Sequence, residues 1–399
     1  MRKTILGIGG LALSALALAY CDKNETGGTT TDLAVATEDF ATAADLSDTP
    51  DLAAAGDLSS LPVVPTEFTV VRIGTGGAAT LTNNATAAFL ERRKIADGSI
   101  VGTPLALPTA VAGANRQLTL SGLASVEGEL SRSADGKYLV IAGYAANPGV
   151  NNVSSSSSTT YNRVIGRIDA AGNINTATAA DAYNAAAVRG AATTDGTMMW
   201  ISSEIGIGYT TLNSTAVPVA LSIVNTRALG IFGSGNTTQL FGSSSATTYL
   251  GVNTIGTGTP NTAGVTVTRL SGFTDANSPS SVGLVGFDRD NNGAIDQLYV
   301  ADDRTVTGGG VQRWKLNGAT WALEGTISTG TGAGARFVTG YVSNNVATVL
   351  VTTAEALTTN PRVLQLTDSG GATSAVTSKV LATAAVNTTY RGIALAPTP

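Results

Sequence analysis

From Thr66 onward the chain alternates apolar and polar residues in short runs, and turn-forming dipeptides separate these runs. Asp135-Gly136, Asp195-Gly196 and Asn292-Gly293 each stand between two such runs, which is a strong signal for a β-hairpin. A second hairpin follows most of these hairpins, so the repeating unit has four strands. The first strands of the units are predicted near residues 129, 188, 227, 282 and 336, and spacings of roughly 40 to 60 residues are typical of propeller blades.

The two ends of this region complete one further unit. Residues 390–395 predict a strand with none after it, whereas residues 68–73, 87–95 and 104–107 predict three strands without a first one. Joined, they make a sixth blade, and this closure removes the free sheet edge. We therefore predict an all-β fold in which residues 66–399 form a six-bladed β-propeller closed by the C-terminal strand. Seven blades are the alternative if the insert at residues 147–161 contains strands.

The N-terminus has the organisation of an export signal. Arg2 and Lys3 precede an apolar run that ends at Cys21, the only cysteine of the chain. Residues 18–21, Leu-Ala-Tyr-Cys, resemble a bacterial lipobox, although Tyr20 stands where Gly, Ala or Ser is usual. We predict that residues 1–20 are a lipoprotein signal peptide and that lipid on Cys21 anchors the protein to the cell envelope, at the outer membrane or the cell surface. The alternative is cleavage after Ala19 and secretion of a soluble protein.

Residues 21–65 are predicted to be a disordered acidic tether. The dipeptide Asp-Leu recurs in this segment, Phe40 is its only Phe or Trp, and no apolar periodicity extends far enough to build a core.

Composition excludes several classes of function. The chain has a net charge of −5, and loss of Arg2 and Lys3 would leave −7, which argues against nucleic acid as a partner. It contains no histidine, so Ser-His-Asp and Cys-His catalysis and imidazole metal sites are excluded. With a single cysteine, no intramolecular disulfide can support the fold.

Four phrases carry a family resemblance: SRSADGKYLVIAGY, LYVADDRTVTGGGVQRWKLNG, GARFVTG and YRGIALAP. They resemble a group of secreted and lipoprotein β-propeller proteins of bacteria that carry no assigned activity. The resemblance implies export and a propeller fold, and it implies no reaction.

A first candidate site lies between two predicted strands. Oxygen-bearing side chains and one backbone carbonyl are spaced as in a calcium loop. The proposed ligands are Asp288, Asp290, Asn292, Asp296 and the carbonyl of Ala294. The run resembles the calcium loops of integrin-type propeller blades, from which it departs at Asn292 and Gln297. The resemblance implies a structural calcium ion, and a plain Asn-Gly hairpin turn is the alternative.

A second candidate site comes from aligning the repeats. Arginines recur at or next to the starts of predicted inner strands, which surround the central channel on one face of a propeller. They are Arg189, Arg227, Arg336 and Arg391, and Glu127 and Glu129 are expected at the same face. Converging guanidinium groups bind carboxylate, sulfate or phosphate in bidentate fashion.

Ion pairing between blades is the alternative role for these arginines. Reflection of each hairpin about its turn predicts the pairs Arg189–Glu204 and Arg336–Glu355, and it leaves Arg227 and Arg391 as the better ligand candidates. The nearby run Asp302-Asp303-Arg304, with Gly308–Gly310 after it, is predicted to be a flexible loop without a ligand role.

We predict a binding or scaffold module rather than an enzyme, with a protein or an anionic small molecule as the ligand. The alternative is a hydrolase. Arginines with Glu and Tyr on six blades resemble sialidases, but the Asp-box of that family is missing, since Ser133–Gly136 continues as Lys137-Tyr138. Calcium-dependent lactonases also have six blades, although their channel is ringed by carboxylates.

Overall fold

The computed structural model describes residues 64–306, 308–356 and 360–399. The predicted signal peptide, Cys21 and nearly all of the predicted tether lie outside the described residues. Residues 63–399 form one compact unit. Within the described ranges, no helix has the length and apolar character needed to cross a membrane.

Six four-stranded antiparallel sheets make up this unit, and each is one blade, with its strands named from the centre outward. Blades one to three contain β26 (Thr389–Leu395), β1 (Glu67–Ile73), β3 (Ala88–Lys94) and β4 (Leu105–Ala106); β6 (Leu130–Arg132), β7 (Tyr138–Tyr144), β8 (Arg163–Asp169) and β9 (Ile174–Ala180); β10 (Val188–Thr193), β11 (Met198–Ser203), β12 (Gly206–Thr211) and β13 (Val219–Ser222).

Blades four to six contain β14 (Ala228–Phe232), β15 (Gln239–Ser244), β16 (Gly251–Ile255) and β17 (Val267–Arg269); β18 (Ser281–Phe287), β19 (Gln297–Asp302), β20 (Gly310–Asn317) and β21 (Thr320–Ile327); β22 (Ala335–Ser343), β23 (Val346–Thr353), β24 (Arg362–Asp368) and β25 (Thr377–Thr383). A separate two-stranded sheet pairs β2 (Ala85–Thr86) with β5 (Leu120–Ser121). The predicted six-bladed propeller is thus confirmed.

The ring closes through the C-terminal strand, as predicted. β26 pairs antiparallel with β1, and the register places Leu395 opposite Phe68 and Thr389 opposite Ile73. The insert at residues 147–161 contains one short 3-10 helix, Val153–Ser155, and no strand among its described residues. It therefore adds no seventh blade.

The turn dipeptides end their strands by a specific geometry. Gly136 and Gly196 adopt φ values of +78° and +79°, a region that glycine enters without steric cost. The preceding carboxylates accept backbone hydrogen bonds, from Lys137 N at 3.1 Å to Asp135 and from Thr197 N at 2.8 Å to Asp195. These contacts fix the chain reversal between first and second strands.

The hydrophobic core lies between neighbouring blades. Tyr299 of blade five packs in one cluster with Val349 of blade six, and Trp200 of blade three packs with Leu240 of blade four. All four side chains are fully buried, and burial of each contributes about 1.5 to 3 kcal/mol. This packing holds the inner strands around a central channel.

We call the channel end where the inner strands begin the upper end, and the other the lower end. Near the upper end, adjacent inner strands contact each other directly. The N–H of Glu129 donates to the carbonyl of Arg189 at 3.1 Å, and the N–H of Gly392 donates to the carbonyl of Gly128 at 2.9 Å. The channel is therefore narrow where the predicted ligand residues lie.

Candidate anion site at the mouth of the central channel

Four arginines stand at the beginnings of four inner strands. Arg189 and Arg336 are the second residues of β10 and β22, Arg391 is the third residue of β26, and Arg227 immediately precedes β14. Because all blades repeat one strand order, these side chains meet at the upper end, and we call the four together the arginine mouth. Burial and, to a smaller extent, the charge of Arg336 lower the pKa of Arg391 to about 9.

Arg391 forms the floor of the arginine mouth. Its side chain is 1% exposed, and its Nη2 donates to the carbonyl of Gly122 at 3.0 Å. Its Nε and Nη1 have no hydrogen-bond partner among the described residues. Two nitrogens of a buried cation, which carry three N–H groups, are thus available to an acceptor.

The ion pairs expected for Arg189 and Arg336 do not form. Arg189 donates to the side-chain oxygen of Asn225, and Glu204 acts on it only through its charge. Arg336 makes one long hydrogen bond, to the carbonyl of Ala354 at 3.5 Å. Glu355 is instead paired with Arg362.

The position of β24 explains why Arg336 does not pair with Glu355. Reflection about the hairpin turn considers the first two strands of a blade only, whereas Arg362 begins the third strand beside Glu355. Arg336 keeps an Nε without a partner in the described ranges, and so does Arg189.

Arg227 does have an acidic neighbour, contrary to the expectation from the sequence. Its Nη1 lies 3.7 Å from Oδ1 of Asp303, which belongs to the loop after β19 in the next blade. Every other ion pair among the described residues is 2.8 Å or shorter. Arg227 also contacts Ser280 Oγ at 3.3 Å and the Ser281 carbonyl at 3.5 Å. All three contacts of the Arg227 guanidinium are therefore long.

Glu127 lies at the floor of the arginine mouth. It is 1% exposed and accepts hydrogen bonds from Tyr144 Oη at 2.7 Å and from Ser121 N at 3.1 Å. Burial raises the pKa of Glu127 to about 7, while these hydrogen bonds and the charges of Arg391 and Arg189 oppose the rise. Near neutral pH this group changes its charge at the floor of the mouth.

Glu129 lies elsewhere, which corrects the prediction that both glutamates reach the mouth. Gly128 between them has a φ of +79°, so the strand geometry that would point residues 127 and 129 to one side is broken. Both carboxylate oxygens of Glu129 accept from Leu229 N, at 3.1 and 2.9 Å, on the inner strand of blade four. Burial raises the pKa of Glu129 well above its usual value.

Unpartnered buried polar atoms concentrate at the arginine mouth. Of the seven such side-chain atoms among the described residues, four belong to Arg189, Arg336 and Arg391, and a fifth is Oγ of Ser281, the first residue of β18. A buried donor without an acceptor costs about 1 to 3 kcal/mol. The mouth therefore offers several donors, and no described acceptor completes the set.

The predicted calcium loop joins β18 to β19 on the lower face. Its oxygens accept hydrogen bonds from its own backbone: Asp288 from Gly293 N at 2.8 Å, Asn292 from Ala294 N at 2.8 Å and Asp296 from Arg289 N at 2.8 Å. No three carboxylates in the described ranges are grouped as metal ligands. Calcium binding through Asp288, Asp290, Asn292, Ala294 and Asp296 stays a prediction.

Four residues at the mouth were not anticipated: Asp303, Ser281, Asn225 and Tyr144. Asp303 belongs to the polar, Gly-rich segment that the sequence predicts to be a flexible loop without a ligand role. Ser281 could have been found, since it is the first residue of β18 and thus lies one residue before the position that arginines occupy in β10 and β22. Asn225 and Tyr144 approach from a loop and a second strand, and no repeat pattern marks them.

No protein-family model and no curated protein sequence matches the chain. Among solved structures, a GH74 enzyme of Niastella koreensis matches with 14% identity and a TM-score of 0.42, over 78% of this chain and 47% of that chain. The chain thus spans about half the length of that enzyme. The soluble aldose sugar dehydrogenase of Escherichia coli matches with 10% identity and a TM-score of 0.42, over 72% of this chain and 96% of that chain. The assignment of the fold rests on the six four-stranded sheets themselves. Similarities this low carry no information on function.

Proposed function

We propose that the propeller is a binding module that holds a small oxyanion, such as a carboxylate, sulfate or phosphate, in the arginine mouth. One observation carries this proposal: Arg189, Arg336 and Arg391 together present four buried nitrogen atoms whose N–H groups have no acceptor among the described residues. An anion is the ligand that satisfies such donors and offsets the repulsion between the arginines.

The position of the donors favours a small ligand. Arg391 and Glu127 are 1% exposed and form the floor, whereas Arg227 and Arg336 are partly exposed and form the solvent side. An entering oxyanion replaces the long contact between Arg227 and Asp303 and gains charge-assisted hydrogen bonds at a largely buried site.

The proposal includes the place where this module works. A lipid on Cys21 and a tether over residues 21–65 would hold the propeller at the cell envelope, away from the membrane surface. The acidic net charge supports this arrangement, because it disfavours adsorption of the propeller to anionic lipid.

The test is calorimetric titration of the purified full-length protein with acetate, sulfate and inorganic phosphate. At least one of them is expected to bind, and Arg227→Gln is expected to weaken its affinity by about tenfold or more, as for a lost hydrogen bond to a charged group. Arg269→Gln is the matched control, because Arg269 lies on the outermost strand of the same blade and pairs with Asp275 at 2.6 Å. The proposal is wrong if none of the three anions binds, or if Arg227→Gln binds them as the wild type does.

A second candidate function is a sialidase-like or lactonase-like hydrolase. The observation that favours it is the 2.7 Å hydrogen bond from Tyr144 Oη to Glu127 beside Arg189 and Arg391. However, Tyr144 is fully buried, and burial raises the pKa of its phenol well above its usual value, which makes it a poor nucleophile. Hydrolysis of a sialoside or lactone that Tyr144→Phe abolishes would establish this function over simple binding.

A further inference from the structure

The lower half of the central channel contains a second cavity, which we call the lower chamber. It has a volume of about 270 Å³, and all six inner strands contribute to its wall. At about 30 Å³ per water molecule, it has room for roughly nine waters or one compact organic ligand. None of the four arginines of the mouth lines it.

Glu129 is the acidic group of the lower chamber. Its side chain is buried, and the N–H of Leu229 is its single hydrogen-bond donor among the described residues. A carboxylate has about four acceptor positions, so most of its capacity is unused. The described residues form no ion pair with Glu129, and burial of a carboxylate without a cation is unfavourable.

The one cation that lines the chamber is directed away from this carboxyl. Arg132 lies at the lower end, where its Nε donates to the carbonyl of Gly136 at 3.0 Å and its Nη2 donates to Oγ1 of Thr398 at 3.2 Å. On the other side, a Cβ on Gly190 would lie 1.7 Å from Oε2 of Glu129. The neighbouring blade thus leaves space for the carboxyl without supplying a countercharge.

Three aromatic side chains line the chamber near its lower end. Phe232, Phe287 and Tyr341 occupy the last part of β14, β18 and β22, in three successive blades. A Cβ on Gly286 would lie 3.1 Å from the ring of Phe232, and one on Gly340 would lie 3.2 Å from the ring of Phe287. Glycines of the next blade therefore make room for these rings, whose faces attract cations.

We propose that the lower chamber binds a compact organic ammonium ion, with its N–H groups on the carboxylate of Glu129 and its apolar part among Phe232, Phe287 and Tyr341. An ammonium group supplies the missing countercharge and the missing donors at once. The faces of the aromatic rings attract the cation. This site is distinct from the arginine mouth and takes a ligand of opposite charge.

Binding is expected to release a proton. Burial favours the protonated form of Glu129 in the empty chamber, and the ammonium ion favours the carboxylate, so the carboxyl proton passes to the buffer. The charged groups nearest along the chain or across the strand are Glu127, Arg132 and Arg189, and none of them is among the causes of the raised pKa of Glu129. Glu127 also changes its charge near neutral pH, so the proton release that wild type and Glu127→Gln share is the part that reports on Glu129.

The experiment is calorimetric titration of the full-length protein with n-butylammonium chloride in buffers of different ionisation enthalpy, from about pH 5 to about pH 8. We expect binding with release of up to about one proton, and loss of about tenfold or more in affinity in Glu129→Gln, which keeps the shape of the side chain. Phe287→Leu is expected to weaken binding by roughly two- to fivefold through the lost ring. Glu204→Gln, which changes an exposed carboxylate at the upper end, is the control and should bind as the wild type does.

The outcomes separate this proposal from the anion site. Absence of n-butylammonium binding, absence of proton release throughout the pH range, or equal affinity of wild type and Glu129→Gln would each overturn it. The proton count on the wild type and on Glu127→Gln decides the question even if Glu129→Gln does not fold. Loss of anion binding in Arg227→Gln with retained n-butylammonium binding supports two sites, whereas loss of both ligands in that variant would overturn the independence of the chamber.

Discussion

The two ends of the central channel are built by the same six strands, and they differ in charge and in hydrogen bonding. At the upper end, the charges of Arg391 and Arg189 act on Glu127, which accepts from Tyr144 and Ser121. Just below this mouth, Glu129 lines the lower chamber, and its carboxyl has one backbone donor, the N–H of Leu229. The blade repeat fixes how far along the channel each strand position lies, but it does not fix whether the side chain at that position is charged, polar or apolar.

The two glutamates show what this freedom allows. They are separated by Gly128 alone, and both are buried, yet burial raises the pKa of Glu127 only to about 7 because hydrogen bonds and nearby guanidiniums oppose it. Glu129 has no such guanidinium among the causes of its shift. The surroundings of a carboxyl, more than its depth, therefore decide its charge state.

The largest expected effect on stability is that of Gly190→Ala, beside the Glu129 carboxyl of the lower chamber. The new methyl group would displace the carboxyl of Glu129 and leave Leu229 N without an acceptor, so the free energy of unfolding is expected to fall by about 4 kcal/mol. Urea denaturation measures this change. Gly371→Ala is the control, because nothing lies within 4 Å of its Cβ position.

A double variant sharpens this test. If the clash with the carboxyl causes the loss, Gly190→Ala in a Glu129→Ala background should be much less destabilising than in the wild type. Equal losses in the two backgrounds would show that the clash is not responsible.

At the upper end, Glu127→Gln is expected to flatten the dependence of stability on pH. Below about pH 4.5 the carboxyl is protonated in the folded and unfolded chains alike, so it contributes no pH dependence there. Between about pH 4.5 and about pH 7 the unfolded chain loses the proton first, because the folded pKa is raised to about 7, and stability falls. The loss is on the order of 3 kcal/mol and should be absent from the variant.

Urea denaturation of wild type and Glu127→Gln across this pH range measures the difference between the two curves. Parallel curves would mean that the pKa of Glu127 is the same in the folded and unfolded chains. The difference in pKa between Glu127 and Glu129 would then not arise in the way described above.

Calcium in the loop after β18 would place a positive charge near the lower chamber, since this loop begins next to Phe287. If calcium binds there, a concentration of about ten times its dissociation constant should raise the free energy of unfolding by about 1.4 kcal/mol. Asp288→Asn should remove most of this gain. Titration without heat and without a shift in melting temperature would reject calcium binding.

The smallest expected effect is that of Ser281→Ala. Its Oγ is buried without a partner in the described ranges, so removing it should change the free energy of unfolding by less than about 1 kcal/mol. If an anion occupies the arginine mouth, the same change should weaken anion binding by a few-fold. Unchanged affinity would place Ser281 outside the site.

The sequence predicted the propeller well because its signals are local. Dipeptides such as Asp135-Gly136 mark the turns, and the strand Thr389–Leu395 with no successor predicted the closure. The short pair β2 and β5 escaped notice, since two-residue strands have no periodicity. Local patterns were enough for strand order and for the place of each inner strand.

The contacts of the site could be predicted only in part. Arg189, Arg227, Arg336 and Arg391 were placed correctly at one end, because a position in a repeat fixes a position in the ring. Their partners were not, since Asp303 comes from the next blade and the competitor Arg362 comes from a third strand. Such contacts depend on the angle between blades and on side-chain competition, which strand patterns do not encode.

The pairing of β26 with β1 also sets the order in which the protein can be completed. Phe68 and Leu395 are about 330 residues apart, and closing a loop of that length costs about 5 kcal/mol of chain entropy. This cost favours closure of the ring after the other blades have formed. Arg391 belongs to the closing strand, so the arginine mouth is complete only in a chain in which β26 has paired with β1.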